Sequence, residues 1–262
     1  MKDAFIDTHC HLDFLKSPDV EIFNAKKAGV QFFFVPSVDI SNFEKVKKIA
    51  HRNKGVFYSL GIHPYNVEKS KKEDITKLEN IVKDSLNDSK FLSIGEIGLD
   101  FFISGYDQNK MKYFFCEQLK IASKFNLPII THSRKSHDLL TKLINQKKIN
   151  KGIVHAFNGS EVQAKKLVDH GMLLGFGGTL TYERANKIKR LIKSAPDHSF
   201  VLETDSPDMN PVWLAKGEQN TPSNIIGIAK SVANLRETNI DVIRRISFEN
   251  VARVFSRFDN KL

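Results

Sequence analysis

Eight short apolar segments, separated by longer stretches of helical periodicity, recur along the whole of this 262-residue chain. Each is rich in β-branched or aromatic residues and is typical of a buried strand. The segments are AFIDTH (4–9), FFFVPSV (32–38), VFYSLGI (56–62), FLSIGEI (91–97), LPIITHS (127–133), GIVHAF (152–157), MLLGFGG (172–178) and FVLETDS (200–206). Regular alternation of strand and helix implies parallel pairing with right-handed crossovers. Because roughly 250 residues is typical of a (β/α)8 barrel, we expect one TIM-barrel domain over residues 1–262.

An open, doubly wound sheet is the alternative fold. It predicts a glycine-rich phosphate loop after the first strand. The sequence at that point is THCHLDF, and neither GxGxxG nor GxxxxGK[ST] occurs in the chain. The pattern therefore favours the barrel.

Helix boundaries are marked by local signals. Ser41 followed by Glu44, and Ser160 followed by Gln163, have the spacing of a capping box. Gly29 stands where a left-handed residue would end a helix before the second strand. These signals predict helices starting near residues 42 and 161.

Polar side chains follow the apolar part of six of the eight strand candidates. In a barrel the carboxyl ends of all strands meet at one mouth, so residues almost two hundred positions apart can converge there. The residues are His9 and His11 on strand one, His63 on strand three, Glu96 on strand four, His132 on strand five, His155 on strand six, and Glu203 and Asp205 on strand eight.

Two of these pairs have a spacing suited to chelation. His9 and His11 are two apart, so both side chains point the same way on an extended strand and can bind one ion. Glu203 and Asp205 have the same relation, which would let both face the mouth. Cys10 then faces the opposite side, where a small buried packing residue is favoured over a ligand.

Taken singly, each residue has another explanation. A lone histidine after a strand is often a hydrogen-bonded core or turn residue, and the GIHP segment around His63 also suits a tight turn. The full set is harder to explain in this way, because each uncompensated buried charge would cost several kcal/mol. A divalent cation removes that cost, and two cations fit six or seven donors better than one. Imidazole and carboxylate without thiolate would accept Zn, Mn or Mg.

Such a centre indicates hydrolysis. A bound cation lowers the pKa of water from 15.7 to about 7, and a second cation can stabilise charge that develops on the substrate. A nearby carboxylate can accept the proton of the water. Asp205, the last polar residue of its strand, is the best candidate for both ligand and base.

Composition and charge bear on the substrate and the compartment. The net charge of +10 and the pI of 9.4 suit a polyanion such as nucleic acid, although a generally lysine-rich surface explains them equally well. No apolar run approaches the roughly 18 residues of a membrane helix, and the N-terminus carries no secretory signal. The two cysteines, Cys10 and Cys116, form no recognisable framework. We therefore expect a cytoplasmic protein with no evident obligatory protein partner.

In order and spacing, the motifs resemble those of the TatD family of metal-dependent hydrolases, in the amidohydrolase-like superfamily of TIM barrels. The matching segments are FIDTHCHLD, GIHP, GEIGLDFF with a glutamine-containing helix to LPIITHSR, HAFNGS, GFGG, ETDSP and NTPSNI. They extend from residue 5 to about residue 225 and are highly specific in combination. The chain departs from the family in GLDFFISGYDQ, which has no basic residue until Lys110 where an arginine is common.

The resemblance implies a deoxyribonuclease-type phosphodiesterase with two metal ions. One ion would lie on His9, His11 and Asp205, the other on His132 and His155, with Glu96 bridging them. The resemblance also places Glu203 beside the metals, as a catalytic residue together with Asp205 and Glu96. It associates His63 with the substrate phosphate.

Two other functions remain open from the sequence. A related amidohydrolase-like barrel could cleave an aminoacyl ester, an amide or another small substrate, although Glu96 in place of a bridging lysine disfavours the best-known small-molecule branches. A metal-holding or nucleic-acid-binding protein without turnover is the third possibility. Open metal positions beside spare carboxylates disfavour it.

Overall fold

The computed structural model describes residues 4–259, so the outermost residues of the predicted 1–262 domain lie outside it. All eight strand candidates form strands. Their bounds are β1 Phe5–Asp7, β2 Val30–Pro36, β3 Val56–Leu60, β4 Phe91–Asp100, β5 Ile129–Arg134, β6 Gly152–Val154, β7 Met172–Phe176 and β8 Phe200–Leu202.

The strands form one sheet in the order β1 to β8, and all seven pairings are parallel. Just beyond the last strand, backbone hydrogen bonds join the two edges: the amide of Thr8 donates to the carbonyl of Leu202, and the amide of Asp205 donates to that of His9. The sheet is therefore a nearly closed barrel. The TIM-barrel prediction is confirmed, and the open doubly wound sheet is excluded.

Helices connect successive strands and cover the outside of the barrel. The α-helices are α1 Pro18–Ala28, α2 Phe43–Arg52, α3 Glu73–Ser85, α4 Gln108–Lys124, α5 His137–Gln146, α6 Glu161–Asp169, α7 Asn186–Ser194, α8 Ile225–Leu235, α9 Ile240–Val254 and α10 Ser256–Asp259. No helix in residues 4–259 combines the length and the apolar character needed to cross a membrane.

The predicted helix signals were partly correct. Ser160 and Gln163 form the predicted capping box at the start of α6, and Gly29 ends α1 with a φ of 109°. The box predicted at Ser41 and Glu44 is wrong. Asp39 instead caps a short 3-10 turn just before α2, because its carboxylate accepts hydrogen bonds from both the amide and the hydroxyl of Ser41.

Alternate residues of each strand enter two apolar clusters, as the twofold repeat of a strand requires. Phe33 and Val35 of β2 pack in the layer between the sheet and the helices. Phe32 and Phe34 belong to the second cluster, together with Phe248 of α9, Phe258 of α10 and Phe255 between these helices. We infer that this second cluster fills the barrel interior. The polar residues gather beyond it, at the carboxyl ends of the strands.

Candidate metal centre

A cleft of about 620 Å³ opens at the carboxyl ends of the strands. Its lining includes six of the eight residues singled out at the strand ends, namely His11, His63, Glu96, His132, His155 and Asp205. His9 lies directly beneath, fully buried, and contacts several of them. Glu203 is also fully buried, behind His155. The structure therefore brings all the predicted site residues to one end of the barrel.

Four ligand-type atoms form a compact cluster on one side of Glu96. The Nε2 atoms of His9 and His11 are 3.2 Å apart. Glu96 Oε2 lies 3.3 Å from the first and 3.5 Å from the second. Asp205 Oδ1 lies 3.5 Å and 3.6 Å from the same two nitrogens.

A second cluster forms around the other oxygen of Glu96. Oε1 lies 3.1 Å from His155 Nε2 and 3.4 Å from His132 Nδ1. The two histidine nitrogens are 3.3 Å apart. Each oxygen of Glu96 therefore belongs to a different cluster, and this carboxylate connects the two.

The spacing within both clusters is that of ligands around a cation. Bonds of about 2.0–2.1 Å to a tetrahedral ion place neighbouring ligand atoms roughly 3.3–3.4 Å apart. In addition, Oε1 of Glu96, an atom of the second cluster, is buried without a hydrogen-bond partner in residues 4–259. Buried polar atoms are normally satisfied. These residues fit divalent cations, and several His and carboxylate groupings here have ligand atoms close enough to share one.

The electrostatics of the cleft also favour a cation. Burial acts to raise the pKa of Glu96, but the surrounding imidazoles, led by His63, hold that pKa well below its ordinary value. Burial lowers the pKa of His9 strongly and raises that of Asp205 to about 6. For His11, burial acts to lower the pKa, but Glu96 and Asp205 outweigh it and raise the pKa to about 9. Positive charge thus outweighs burial at Glu96, whereas burial prevails at Asp205.

His63 differs from the other histidines in its hydrogen bonding. Its Nδ1 accepts a hydrogen bond from the backbone amide of Tyr65, at 3.1 Å. Burial lowers its pKa to about 4, so the ring is neutral and its single proton resides on Nε2. Nε2, which lies 3.3 Å from Glu96 Oε1, is therefore a donor and not a cation ligand. His63 caps a short turn, as the GIHP segment suggested, and it also lines the cleft, while its association with a substrate phosphate stays a prediction.

Glu203 and Asp205 do not share an extended strand as the sequence suggested. β8 ends at Leu202, and Asp205 has a φ of 55°, which turns its carboxylate toward His9 and His11. Glu203 instead lies behind His155, where Oε1 accepts a hydrogen bond from the amide of Ala156 at 2.5 Å and is 3.6 Å from His155 Nδ1. The expectation that both carboxylates face the mouth is wrong.

Cys10 is fully buried, and its thiol lies 3.6 Å from the carbonyl oxygen of Phe34. It therefore packs away from the clusters, as predicted.

Two carboxylates that sequence reasoning did not single out position the site. Asp100 Oδ2 lies 3.0 Å from His132 Nε2, which fixes the proton on that nitrogen and leaves Nδ1 free to act as a ligand. Asp7 accepts hydrogen bonds from the amide and hydroxyl of Thr204 and from the amide of His9. Both residues lie in the matching segments FIDTHCHLD and GEIGLDFF, where Asp7 precedes His9 and Asp100 follows Glu96. Only the fold shows which side chains they contact.

The fold and the side chains together define a (β/α)8 barrel with a nitrogen- and oxygen-rich metal centre at its mouth. The family model described as "TatD related DNase" matches residues 6–256. This chain belongs to the TatD family of metal-dependent hydrolases.

Close relatives agree with this assignment. An uncharacterized metal-dependent hydrolase of Haemophilus influenzae is 38% identical, covering 96% of this chain and 99% of its own length. The Escherichia coli protein YjjV, also described as an uncharacterized metal-dependent hydrolase, is 34% identical over 96% of this chain and 98% of its own. The crystal structure of YjjV, a TatD homolog, superposes with a TM-score of 0.93, covering 98% of this chain and 99% of that one.

Proposed function

We propose that this protein is a TatD-type deoxyribonuclease that hydrolyses phosphodiester bonds in DNA with two divalent cations. The observation that carries the proposal is the pair of ligand clusters joined by the two oxygens of Glu96. His9, His11 and Asp205 would hold one cation and His132 and His155 the other, with Glu96 bridging. Two cations held by these residues would suit the in-line displacement at phosphorus. Zn, Mn and Mg all suit this set of ligands.

When bound, the cations would lower the pKa of water and stabilise the charge on the phosphate oxygens. The residues of the chain supply the remaining chemistry. Asp205 is the base: its carboxylate borders the cleft and lies beside His9 and His11, where it can accept a proton from water. His63 Nε2–H is positioned to donate to a phosphate oxygen. Glu203 lies beside Nδ1 of His155 and orients that ring, and its carboxylate also binds the backbone amide of Ala156 and so positions the loop after β6.

The wall of the cleft adds groups suited to a nucleotide. Arg134 lines the cleft, and its guanidinium group lies 3.7 Å above the exposed ring of Phe102. Tyr65 and Phe14, both exposed, also line it. A guanidinium group binds phosphate oxygens, and exposed aromatic rings can stack on bases. These features support a nucleic-acid substrate beyond what the net charge of +10 indicates.

The decisive experiment is hydrolysis by the purified protein after chelation and re-addition of Mg, Mn or Zn. The substrates should be single-stranded and duplex DNA, together with aminoacyl esters and cyclic amides that represent the alternative amidohydrolase-like activity. We expect release of nucleotides that depends on the added metal. Turnover of only the ester or amide substrates would replace the proposal, and turnover of none would support a non-catalytic role.

Cellular location stays a prediction. Both cysteines, Cys10 and Cys116, are free thiols. This suits the reducing cytoplasm expected from the sequence. Fractionation of cells that express a tagged chain would test it.

A further inference from the structure

A second recess, of about 490 Å³, lies beside the metal cleft. It is formed by the segment after β5, the segment after β6 and the first turn of α7. Asn158 lines both cavities, and Arg134 of the cleft is followed directly by Lys135 of the recess. A polymeric substrate in the cleft can therefore extend into the recess.

Two lysines from different parts of the chain line the recess. Lys135 precedes α5, and Lys187 lies in the first turn of α7, where its Nζ is 2.6 Å from the carbonyl oxygen of Asn158. Neither forms an ion pair within residues 4–259. The recess also contains one carboxylate, Asp138, whose Oδ2 accepts a hydrogen bond from Gln163 Nε2 at 2.8 Å. The fixed charge of the recess is thus positive.

The first turn of α5 leaves its backbone amides available. Ser136 precedes α5, but its hydroxyl donates a hydrogen bond to the carbonyl of Leu99 at 2.7 Å and does not cap the helix. The first amides of an α-helix have no partner within the helix, and the helix dipole makes that end attractive to anions. The neighbouring helix α6 differs, because Ser160 and Gln163 cap it.

His137 provides a separate indication of a missing partner. The residue lines the recess, is only 6% exposed, and its Nε2 atom is buried without a hydrogen-bond partner in the described part of the chain. Burial, together with the charge of Lys187, lowers its pKa to about 4, so the ring is neutral. A neutral imidazole carries one N–H donor. An unsatisfied buried polar group of this kind is costly unless a ligand or water completes it.

We propose that this recess binds a backbone phosphate of the nucleic acid adjacent to the phosphate that is cleaved. The proposal rests on the function proposed above and names a second contact for the same substrate. Lys135, Lys187 and the free amides of α5 bind the phosphate oxygens. Substrates with a further phosphate beyond the scissile one are therefore bound more tightly than substrates with a single phosphodiester.

The test compares two substrates in the metal-loaded enzyme. Lys135→Gln and Lys187→Gln remove the charge at exposed positions and shorten the side chain by only one atom. For a DNA oligonucleotide, each should raise KM about tenfold and reduce the dependence of log KM on log salt by about 0.7. For bis(p-nitrophenyl) phosphate, which has no second phosphate, KM should stay within twofold. Lys165→Gln, which breaks an exposed ion pair with Asp169 on α6, is the matched control.

Two results would overturn the proposal: an unchanged KM for the oligonucleotide, or an equal rise in KM for both substrates. A wild-type enzyme that cleaves neither substrate would instead contradict the proposed function. In that case the recess is tested by fluorescence anisotropy of a labelled oligonucleotide with metals chelated. There the two lysine variants should bind about tenfold more weakly than Lys165→Gln, and equal binding would exclude the recess as a phosphate site.

Discussion

Glu96 is the residue on which both ligand clusters depend, because each of its oxygens belongs to one of them. Its environment holds the carboxylate ionised and fully buried among histidines. A neutral side chain of the same shape would retain one acceptor oxygen and lose the charge. Substitution of Glu96 should therefore affect the binding of both cations.

Glu96→Gln should abolish binding of at least one cation and reduce hydrolysis about 10³-fold, which corresponds to roughly 4 kcal/mol of transition-state stabilisation. Metal content by mass spectrometry and kcat on the identified substrate are the measurements. Glu73→Gln, at an exposed position of α3, is the control. Full metal content and activity in Glu96→Gln would exclude Glu96 as the bridging ligand.

Asp100 acts through His132. Its carboxylate accepts a hydrogen bond from Nε2–H at 3.0 Å, so the lone pair of Nδ1 is directed into the second cluster, beside Glu96 Oε1. Asp100→Asn should weaken metal binding 10- to 100-fold, because such outer carboxylates fix both tautomer and ring orientation. Titration with Zn or Mn, followed by calorimetry, measures this. An unchanged metal affinity would show that His132 is oriented by its packing alone.

At the scale of elements, β7 and β8 must approach closely for Glu203 to reach His155. Gly175 of β7 makes this possible, because a Cβ at this position would lie 2.1 Å from Glu203 Oε2 and 2.7 Å from its Cδ. The glycine is thus required by the neighbouring carboxylate.

Gly175→Ala should displace the Glu203 carboxylate and lower activity, with a far smaller effect on the melting temperature. The comparison is a double-mutant cycle with Glu203→Ala, since removing the carboxylate removes the collision. Gly175→Ala should then add little to the loss caused by Glu203→Ala. Additive losses would show that the alanine acts elsewhere in β7.

The turn between α3 and β4 is tied to the rest of the fold by Asp88. Its Oδ2 lies 2.8 Å from His51 Nε2 and accepts a hydrogen bond from the Tyr58 hydroxyl at 2.7 Å, and its Oδ1 accepts one from the amide of Lys90. Burial acts to raise the pKa of Asp88, but these hydrogen bonds outweigh it and lower the pKa below its ordinary value.

Because the folded-state pKa is the lower one, Asp88 stabilises the fold fully above its ordinary pKa of 3.8, and this contribution is lost as pH falls through the lowered value. Asp88→Asn should therefore melt at a lower temperature than the wild type at pH 7, with the difference shrinking below pH 4. Thermal melts between pH 3 and 7 measure this. A difference that does not change with pH would show that the charge of Asp88 contributes nothing.

For the molecule as a whole, bound cations should stabilise the folded barrel in addition to supporting hydrolysis. The centre joins residues on β4 and β5 with residues just after β1, β6 and β8, so its ligands come from most of the barrel. A cation that binds only the folded chain stabilises it by about 4 kcal/mol at a thousandfold excess over Kd.

Chelation should therefore lower the melting temperature by roughly 8 to 16 °C for a chain of this size. Differential scanning calorimetry with and without EDTA, followed by re-addition of metal, measures the change. The Glu96→Gln variant should show a smaller response. An identical melting temperature after complete metal removal would show that the centre is assembled by the barrel without help from the ions.

The eight strands, the barrel and the polar residues at its mouth were predictable because they depend on local patterns. Buried parallel strands are apolar on both faces, and the polar residues that follow them are brought together by topology alone. The errors lie beyond the strand ends. Asp205 leaves the extended conformation and Glu203 turns behind His155, since loop geometry there depends on long-range contacts.

The residues available for the centre follow from local patterns, since strand periodicity and the order of FIDTHCHLD, GEIGLDFF and ETDSP place them at one end of a barrel. The role of each residue depends on contacts that form only in the folded chain. The amide of Tyr65 makes His63 a donor, Asp100 makes His132 a ligand, and the recess at Lys135 exists because two loops and α7 meet there. The physical reason is that protonation and direction depend on neighbours distant in the chain, which no local pattern encodes.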